Sequence, residues 1–123
     1  MTQIIVVDDD RDNSRLIKML LEMDGYGVHL CPSIAKACDA AETGTTAFII
    51  DYHLARGETG VELVSLIRDG QTGAPTDTPV IVTSGDERCR EAALKVGADV
   101  FLLKPYGPSI LTAELSKLTG KDN

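Results

Sequence analysis

The feature that most restricts this chain is a repeated alternation. Short apolar runs rich in β-branched residues are separated by longer stretches whose apolar residues recur at helical spacing. Ile4–Val7 reads as a buried strand. Leu16, Leu20 and Met23, with Ile17 and Leu21 beside them, predict one face of a helix over about residues 12–24, closed by Gly25. Val28-His29-Leu30 alternates as a half-exposed strand near a sheet edge. Ser33 suits an N-cap, and Ile34, Cys38 and Ala41 stripe a second helix. Thr46–Asp51 is a third strand. Thr59 and Glu62 form a capping-box pair before a helix with Leu63, Val64 and Ile67 inward. Gly70–Thr78 is a loop, Val80–Val82 a fourth strand, and Cys89, Ala92, Ala93 and Val96 a fourth helical stripe closed by Gly97. Val100–Leu103 is a fifth strand. Pro108 opens a last helix whose buried line is Leu111, Leu115 and Leu118.

Five strands alternating with five helices predict an α/β domain. Right-handed crossovers make it a doubly wound parallel sheet with helices on both faces. A chain of 123 residues is of single-domain size. Residues 1–120 are expected to form that domain, and 121–123 a tail or the start of a linker.

With 12 Lys+Arg against 19 Asp+Glu, the formal net charge is −7. That argues against direct binding to nucleic acid or to an anionic membrane. The apolar runs are too short for a bilayer span, and no secretion signal precedes Ile4. Cys31, Cys38 and Cys89 lack CxxC spacing and read as reduced thiols. The expected location is the cytoplasm.

In such a sheet, ligands bind beyond the carboxyl ends of the strands. The residues there are Asp8, Asp9 and Asp10 after strand one, and Asp51 at the end of strand three. Thr83, Ser84, Gly85 and Asp86 follow strand four, and Lys104 and Pro105 follow strand five. One of Asp10, Asp12 and Asn13 is expected to cap the first helix. Two carboxylates about 5 Å apart repel by roughly 3 kcal/mol at an effective dielectric near 20. A hard divalent cation removes that cost, and few carboxylates with room for water favour Mg²⁺. An ammonium and a hydroxyl beside it suit phosphoryl oxygens. The residues therefore point to metal-assisted phosphoryl transfer with a carboxylate nucleophile.

On these residues the chain resembles the receiver domains of two-component response regulators. Asp8-Asp9 matches the acidic pair, Asp51 the phosphoacceptor, Ser84-Gly85 the hydroxyl-plus-small motif and Lys104-Pro105 the Lys-Pro motif. The resemblance implies a flavodoxin-like strand order 2-1-3-4-5. It implies that Asp8, Asp9, Asp51 and the backbone carbonyl of His53 hold Mg²⁺. Asp51 would take the phosphoryl group, Ser84 and Lys104 would contact it, and Gly85 would leave room for it. Phe101 would be the switch aromatic, and the Lys104–Pro105 peptide would be cis.

The implied partners are a sensor histidine kinase or phosphotransfer protein, and a downstream partner or output domain. The surface of helix 4, strand 5 and helix 5 would serve that partner or a homodimer. The protein would be no enzyme beyond catalysing its own phosphorylation and dephosphorylation.

Two departures stand out. Tyr52–Gly60 lacks the Pro of many receivers, and Gly60 sits one place further from Asp51, which leaves the loop and the His53 carbonyl open. The segment after Ser84 is short, which shifts the start of the fourth helix. Thr83 precedes Ser84, and Ser84 is chosen because Gly85 follows it. The His53 side chain is expected at the rim of the site, Cys89 in the core and Tyr106 at the surface of the last strand–helix corner.

Two other readings compete. Asp8-x-Asp10 also resembles the start of a haloacid-dehalogenase-type phosphatase with Asp8 as nucleophile. A degenerate receiver used only for binding is the other, and the full set of polar residues argues against it. An acidic loop after strand one, where a Gly-rich phosphate cradle would be needed, argues against a nucleotide-binding Rossmann domain.

Overall fold

The computed structural model describes residues 2–120. The strands are β1 (Gln3–Val7), β2 (Gly27–Cys31), β3 (Ala47–Asp51), β4 (Val80–Ser84) and β5 (Val100–Leu103). The helices are α1 (Arg11–Met23), α2 (Ile34–Ala40), α3 (Gly60–Arg68), α4 (Arg90–Lys95) and α5 (Pro108–Thr119). Short 3-10 turns cover Ala55–Gly57 and Glu87–Cys89. The sheet order is β2-β1-β3-β4-β5 with every pairing parallel. This is the doubly wound, flavodoxin-like order expected from the resemblance.

The strands are apolar on both sides because both sides are covered. Ile4 and Val6 of β1 and Ile49 of β3 face α1 and α5, where they meet Ile17, Leu21, Leu111 and Leu115. Ile5, Val7, Phe48, Ile50 and Val82 face the opposite core, with Ala37, Leu63, Val64, Ile67 and Ala93. Each large side chain fully buried there contributes about 1.5–3 kcal/mol.

Caps set the helix ends. Asp10 is the N-cap of α1, its carboxylate accepting from the Asp12 and Asn13 N–H groups. Ser33 caps α2, and Thr59 and Glu62 form the expected capping box at α3. Gly25 and Gly97 leave α1 and α4 at φ +89° and +116°, where a side chain would be strained.

The helix faces differ from the sequence reading in two places. In α1 the inward residues are Ser14, Ile17 and Leu21. Leu16 is 51% and Met23 77% exposed, so the inward stripe lies about one residue round the helix from the one expected. Ser14 can turn inward because its hydroxyl donates to the Arg11 carbonyl at 3.1 Å. In the fourth helical segment Cys89 and Ala93 are buried but Ala92 is exposed. Ala93 lies four residues past Cys89, the N-cap of α4, and so shares its face, while Ala92 turns toward solvent.

The amino edge of the sheet is tied by Arg68, the last residue of α3. Its guanidinium donates to the Gly97 carbonyl through Nε at 2.9 Å and Nη2 at 2.7 Å. Nη1 donates to the carbonyls of Thr76 at 2.8 Å and Thr78 at 2.7 Å. Asp99 accepts from Nη2 at 3.1 Å and from the Val80 N–H at 2.8 Å.

Among the described residues no helix is long and apolar enough to cross a membrane.

Candidate functional site

Asp8 follows β1 directly, and its N–H donates to the Cys31 carbonyl at 3.1 Å, extending the ladder by one bond. Only 6% of the residue is exposed. A buried carboxylate needs donors, and Asp8 has two. The Asp10 N–H reaches Oδ1 at 2.8 Å, and Asn13 Nδ2 reaches Oδ2 at 2.7 Å. Asp9 beside it is exposed.

Asp51 is the last residue of β3, with its side chain mostly covered. Lys104, just past β5, sets its Nζ 3.4 Å from Asp51 Oδ2. The Lys104 N–H donates to the Ser84 carbonyl at 2.8 Å, which registers the two strand ends. Burial pushes the Asp51 pKa above the usual carboxylate value. The Lys104 charge pulls it back, the Asp8 charge adds to the rise, and hydrogen bonds from Lys104 and the His53 amide pull it down. Burial wins, so an added cation would favour the ionised form.

Carboxylate oxygens of Asp8, Asp9 and Asp51 lie within 4.8 Å of one another. Three hard anionic donors at that separation repel unless a cation sits among them. Their number and type fit a small oxygen-seeking divalent ion such as Mg²⁺.

Ser84 ends β4 and is 1% exposed, with its Oγ accepting from the Asp86 N–H at 3.1 Å. Strand alternation puts it on the Val80–Val82 side, toward Phe101. Thr83 is 3% exposed and alternates to the Ile81 side. Phe101 is turned inward, 4% exposed, with the Arg90 guanidinium 4.9 Å from its ring centroid. The Lys104–Pro105 peptide is cis.

The loop after Asp51 is held without the missing proline. His53 and Thr59 form an antiparallel bridge, and Arg56 and Gly57 turn at φ +62° and +74°. The Gly60 N–H donates to the Tyr52 carbonyl at 2.7 Å. A Cβ at Gly60 would lie 2.6 Å from the Asp51 carbonyl oxygen, so the extra residue in this loop still ends on a required glycine. The His53 ring lies exposed, with Nε2 3.8 Å from Cys89 Sγ. Cys89 belongs to the core facing α2–α4.

Tyr106 packs at the corner between β5 and α5 and stays partly exposed. It is half-buried against the α1–α5 core. Burial first, then the Asp8 and Asp51 charges, push its pKa up to about 12. It lines a cleft of about 250 Å³ with Asn13, Leu16, Leu20 and Lys104. Sequence reasoning treated Asn13 as a candidate cap and missed its bond to Asp8. The available signal was an amide one helical turn past the acidic loop.

The family model for the response regulator receiver domain matches residues 4–116. The chain belongs to that family. As a receiver it is 31% identical over 117 residues to the transcriptional regulatory protein CpxR of Escherichia coli K12, covering 94% of this chain and 48% of that protein. It is 32% identical over 118 residues to the KDP operon transcriptional regulatory protein KdpE of the same strain, covering 94% of this chain and 50% of that one. The chain thus spans about half the length of the curated relatives it matches. Among solved structures, the Francisella response regulator 1452 receiver domain superposes with TM-score 0.83 at 22% identity, covering 97% of both chains. The response regulator TrrA of Thermotoga maritima, solved in complex with Mg²⁺-BeF, superposes with TM-score 0.82 at 23% identity, covering 96% of this chain and 99% of that one.

These findings lend no support to the phosphatase reading. Its nucleophile would be Asp8, which is buried and engaged by two donors.

Proposed function

We propose that this receiver accepts a phosphoryl group on Asp51 and converts it into a change of surface. The observation that carries the reading is the meeting of Asp51 with Lys104 at 3.4 Å and with the oxygens of Asp8 and Asp9 within 4.8 Å. The donor is the phosphohistidine of a sensor histidine kinase or phosphotransfer protein. An Asp51 carboxylate oxygen attacks phosphorus, a P–O bond forms, and the P–N bond to the donor breaks. Asp8, Asp9, Asp51 and the His53 carbonyl would hold Mg²⁺, which when bound supplies positive charge to the phosphoryl oxygens. The Mg²⁺-BeF complex of TrrA, a protein of the same fold, supports that assignment.

Lys104, with its Nζ 3.4 Å from Asp51 Oδ2, supplies a second positive charge. Ser84 keeps its hydroxyl proton free to donate, because its bond to the Asp86 N–H uses only an acceptor lone pair. Nothing lies within 4 Å of where a Gly85 side chain would begin, which leaves room for the group. Asp51 is regenerated when the acyl phosphate hydrolyses within the same site.

Phosphorylation adds strong acceptor oxygens and negative charge beside Ser84 and Lys104. Ser84 moves toward them. Phe101, packed on the same side of the sheet, adjusts with it and alters the surface of α4, β5 and α5. A downstream partner, an output domain or a second copy reads that surface. Residues 1–120 act as the receiver unit, in the cytoplasm, without binding nucleic acid or membrane. Residues 121–123, the expected tail or linker start, lie outside the described residues.

Intact-mass spectrometry after incubation with acetyl phosphate and Mg²⁺ tests this. One metal-dependent adduct on the wild type and none on Asp51→Asn is expected. An adduct that persists in Asp51→Asn would place the nucleophile elsewhere.

A further inference from the structure

Asn13 sits at the third position of α1, one turn past the acidic loop. Its side chain has no part in capping the helix, because Asp10 does that with its own carboxylate. The Asn13 amide instead points back to Asp8, with Nδ2 2.7 Å from Oδ2. The other Asp8 oxygen accepts from the Asp10 N–H at 2.8 Å. Each oxygen of this buried carboxylate thus has one fixed donor and keeps a lone pair free. Those lone pairs are what Asp8 can offer beside Asp9 and Asp51.

We propose that Asn13 is a positioning residue for the cation site: its amide fixes the Asp8 carboxylate in the orientation that a small octahedral ion requires. This rests on the Mg²⁺ reading above and goes beyond it, since Asn13 would touch neither the ion nor the phosphoryl group. The physical reason lies in the difference between two cations. Mg²⁺ demands near-ideal octahedral geometry at short distances, whereas Ca²⁺ accepts irregular geometry and longer bonds. A carboxylate held by two donors has little freedom to swing, which favours the stricter ion. A carboxylate held only by the Asp10 amide can rotate about its remaining bond. Asn13 also supplies a donor without adding charge. Aspartate in its place would set a further anion against Asp8, and leucine of nearly the same shape would leave Oδ2 without its partner.

The test is calorimetric titration of Mg²⁺ and Ca²⁺ into the metal-free protein, for wild type, Asn13→Leu and Asn13→Ser. Loss of a partner that orients a metal ligand commonly costs about 10- to 100-fold in affinity. Asn13→Leu is expected to weaken Mg²⁺ at least about 10-fold while Ca²⁺ weakens far less, so that the Mg²⁺/Ca²⁺ preference falls. Asn13→Ser, whose shorter side chain does not reach Oδ2, is expected to behave in the same way. Thermal melting of each variant without metal confirms that the fold persists. Unchanged Mg²⁺ affinity in both variants would overturn the role of Asn13 and leave the Mg²⁺ reading standing. Equal loss of both ions would overturn it in favour of general damage to the site. A wild type that binds no Mg²⁺ would overturn both this role and the reading beneath it.

Discussion

Replacing Arg68 by alanine should cost this domain a large share of its stability while sparing its chemistry. The guanidinium ties the end of α3 to the loop before β4 and the turn before β5. Two of the carbonyls it serves, Gly97 and Thr78, are in partly buried bonds. A hydrogen bond from a charged donor is worth about 1.5–3 kcal/mol. The Thr76 bond is exposed and the Asp99 carboxylate is 40% exposed, so each adds at most about 1 kcal/mol. Asp99 also keeps the Val80 N–H as a donor. Water can reach part of the vacated space, which favours the lower end, about 3–4 kcal/mol in all. Domains of this kind have only about 5–15 kcal/mol to lose. Lysine has one ammonium and no planar fork, so Arg68→Lys should recover less than half. Urea unfolding followed by circular dichroism measures both, with an m-value of about 1–3 kcal/mol/M and a midpoint shift of roughly 2 M for alanine. Arg68 lies at the amino edge of the sheet, so phosphorylation by acetyl phosphate should persist well below the unfolding midpoint. A loss under about 1 kcal/mol for Arg68→Ala, or a lysine variant as stable as wild type, would refute the reasoning.

Two further outcomes concern the site. Gly60→Ala would drive a methyl group to 2.6 Å from the Asp51 carbonyl oxygen and 2.8 Å from Ile50 Cγ2. It should destabilise the domain by about 1–3 kcal/mol and slow phosphoryl uptake by displacing Asp51; melting and uptake rate equal to wild type would contradict this. Burial raises the folded-state pKa of Asp51 above its unfolded value, so its contribution to stability is fully present below the unfolded pKa and is lost as pH rises through the folded one. Metal-free wild type should therefore lose stability relative to Asp51→Asn across that window, and thermal melts from acid to neutral pH in which the difference between the two melting points does not change in that sense would count against it.

The strands were legible because a parallel sheet covered on both faces needs continuous β-branched runs, and Ile4–Val7 or Val80–Val82 fit little else. The candidate site was legible because the topology gathers strand ends, so Asp8, Asp51 and Lys104 could be placed together without a contact map. Helix facing was less legible. Leu16 and Leu20 lie beside Ile17 and Leu21 in α1, and either stripe satisfies helical spacing. The choice was settled by Ser14, a polar residue whose local bond to Arg11 hides it from sequence patterns. The 3-10 turn at Glu87–Cys89 also left no periodic trace, because three residues are too few to show a period. Arg68 and Asn13 were missed for a different reason. Their partners are backbone carbonyls and a carboxylate oxygen, and a residue's letter does not say whom it serves.

The five-stranded sheet divides the interior into two apolar compartments that share a wall but few side chains. Asp51 and Lys104 alternate toward the compartment of α1 and α5, whereas Ser84 and Phe101 alternate toward that of α2, α3 and α4. A rearrangement of Phe101 against Arg90 and α4 therefore need not loosen Leu111 or Leu115 on the other side. The two ends of the reading surface proposed above, α4 and α5, thus rest on different compartments, with Asp51 and Lys104 on the side of one and Phe101 inside the other.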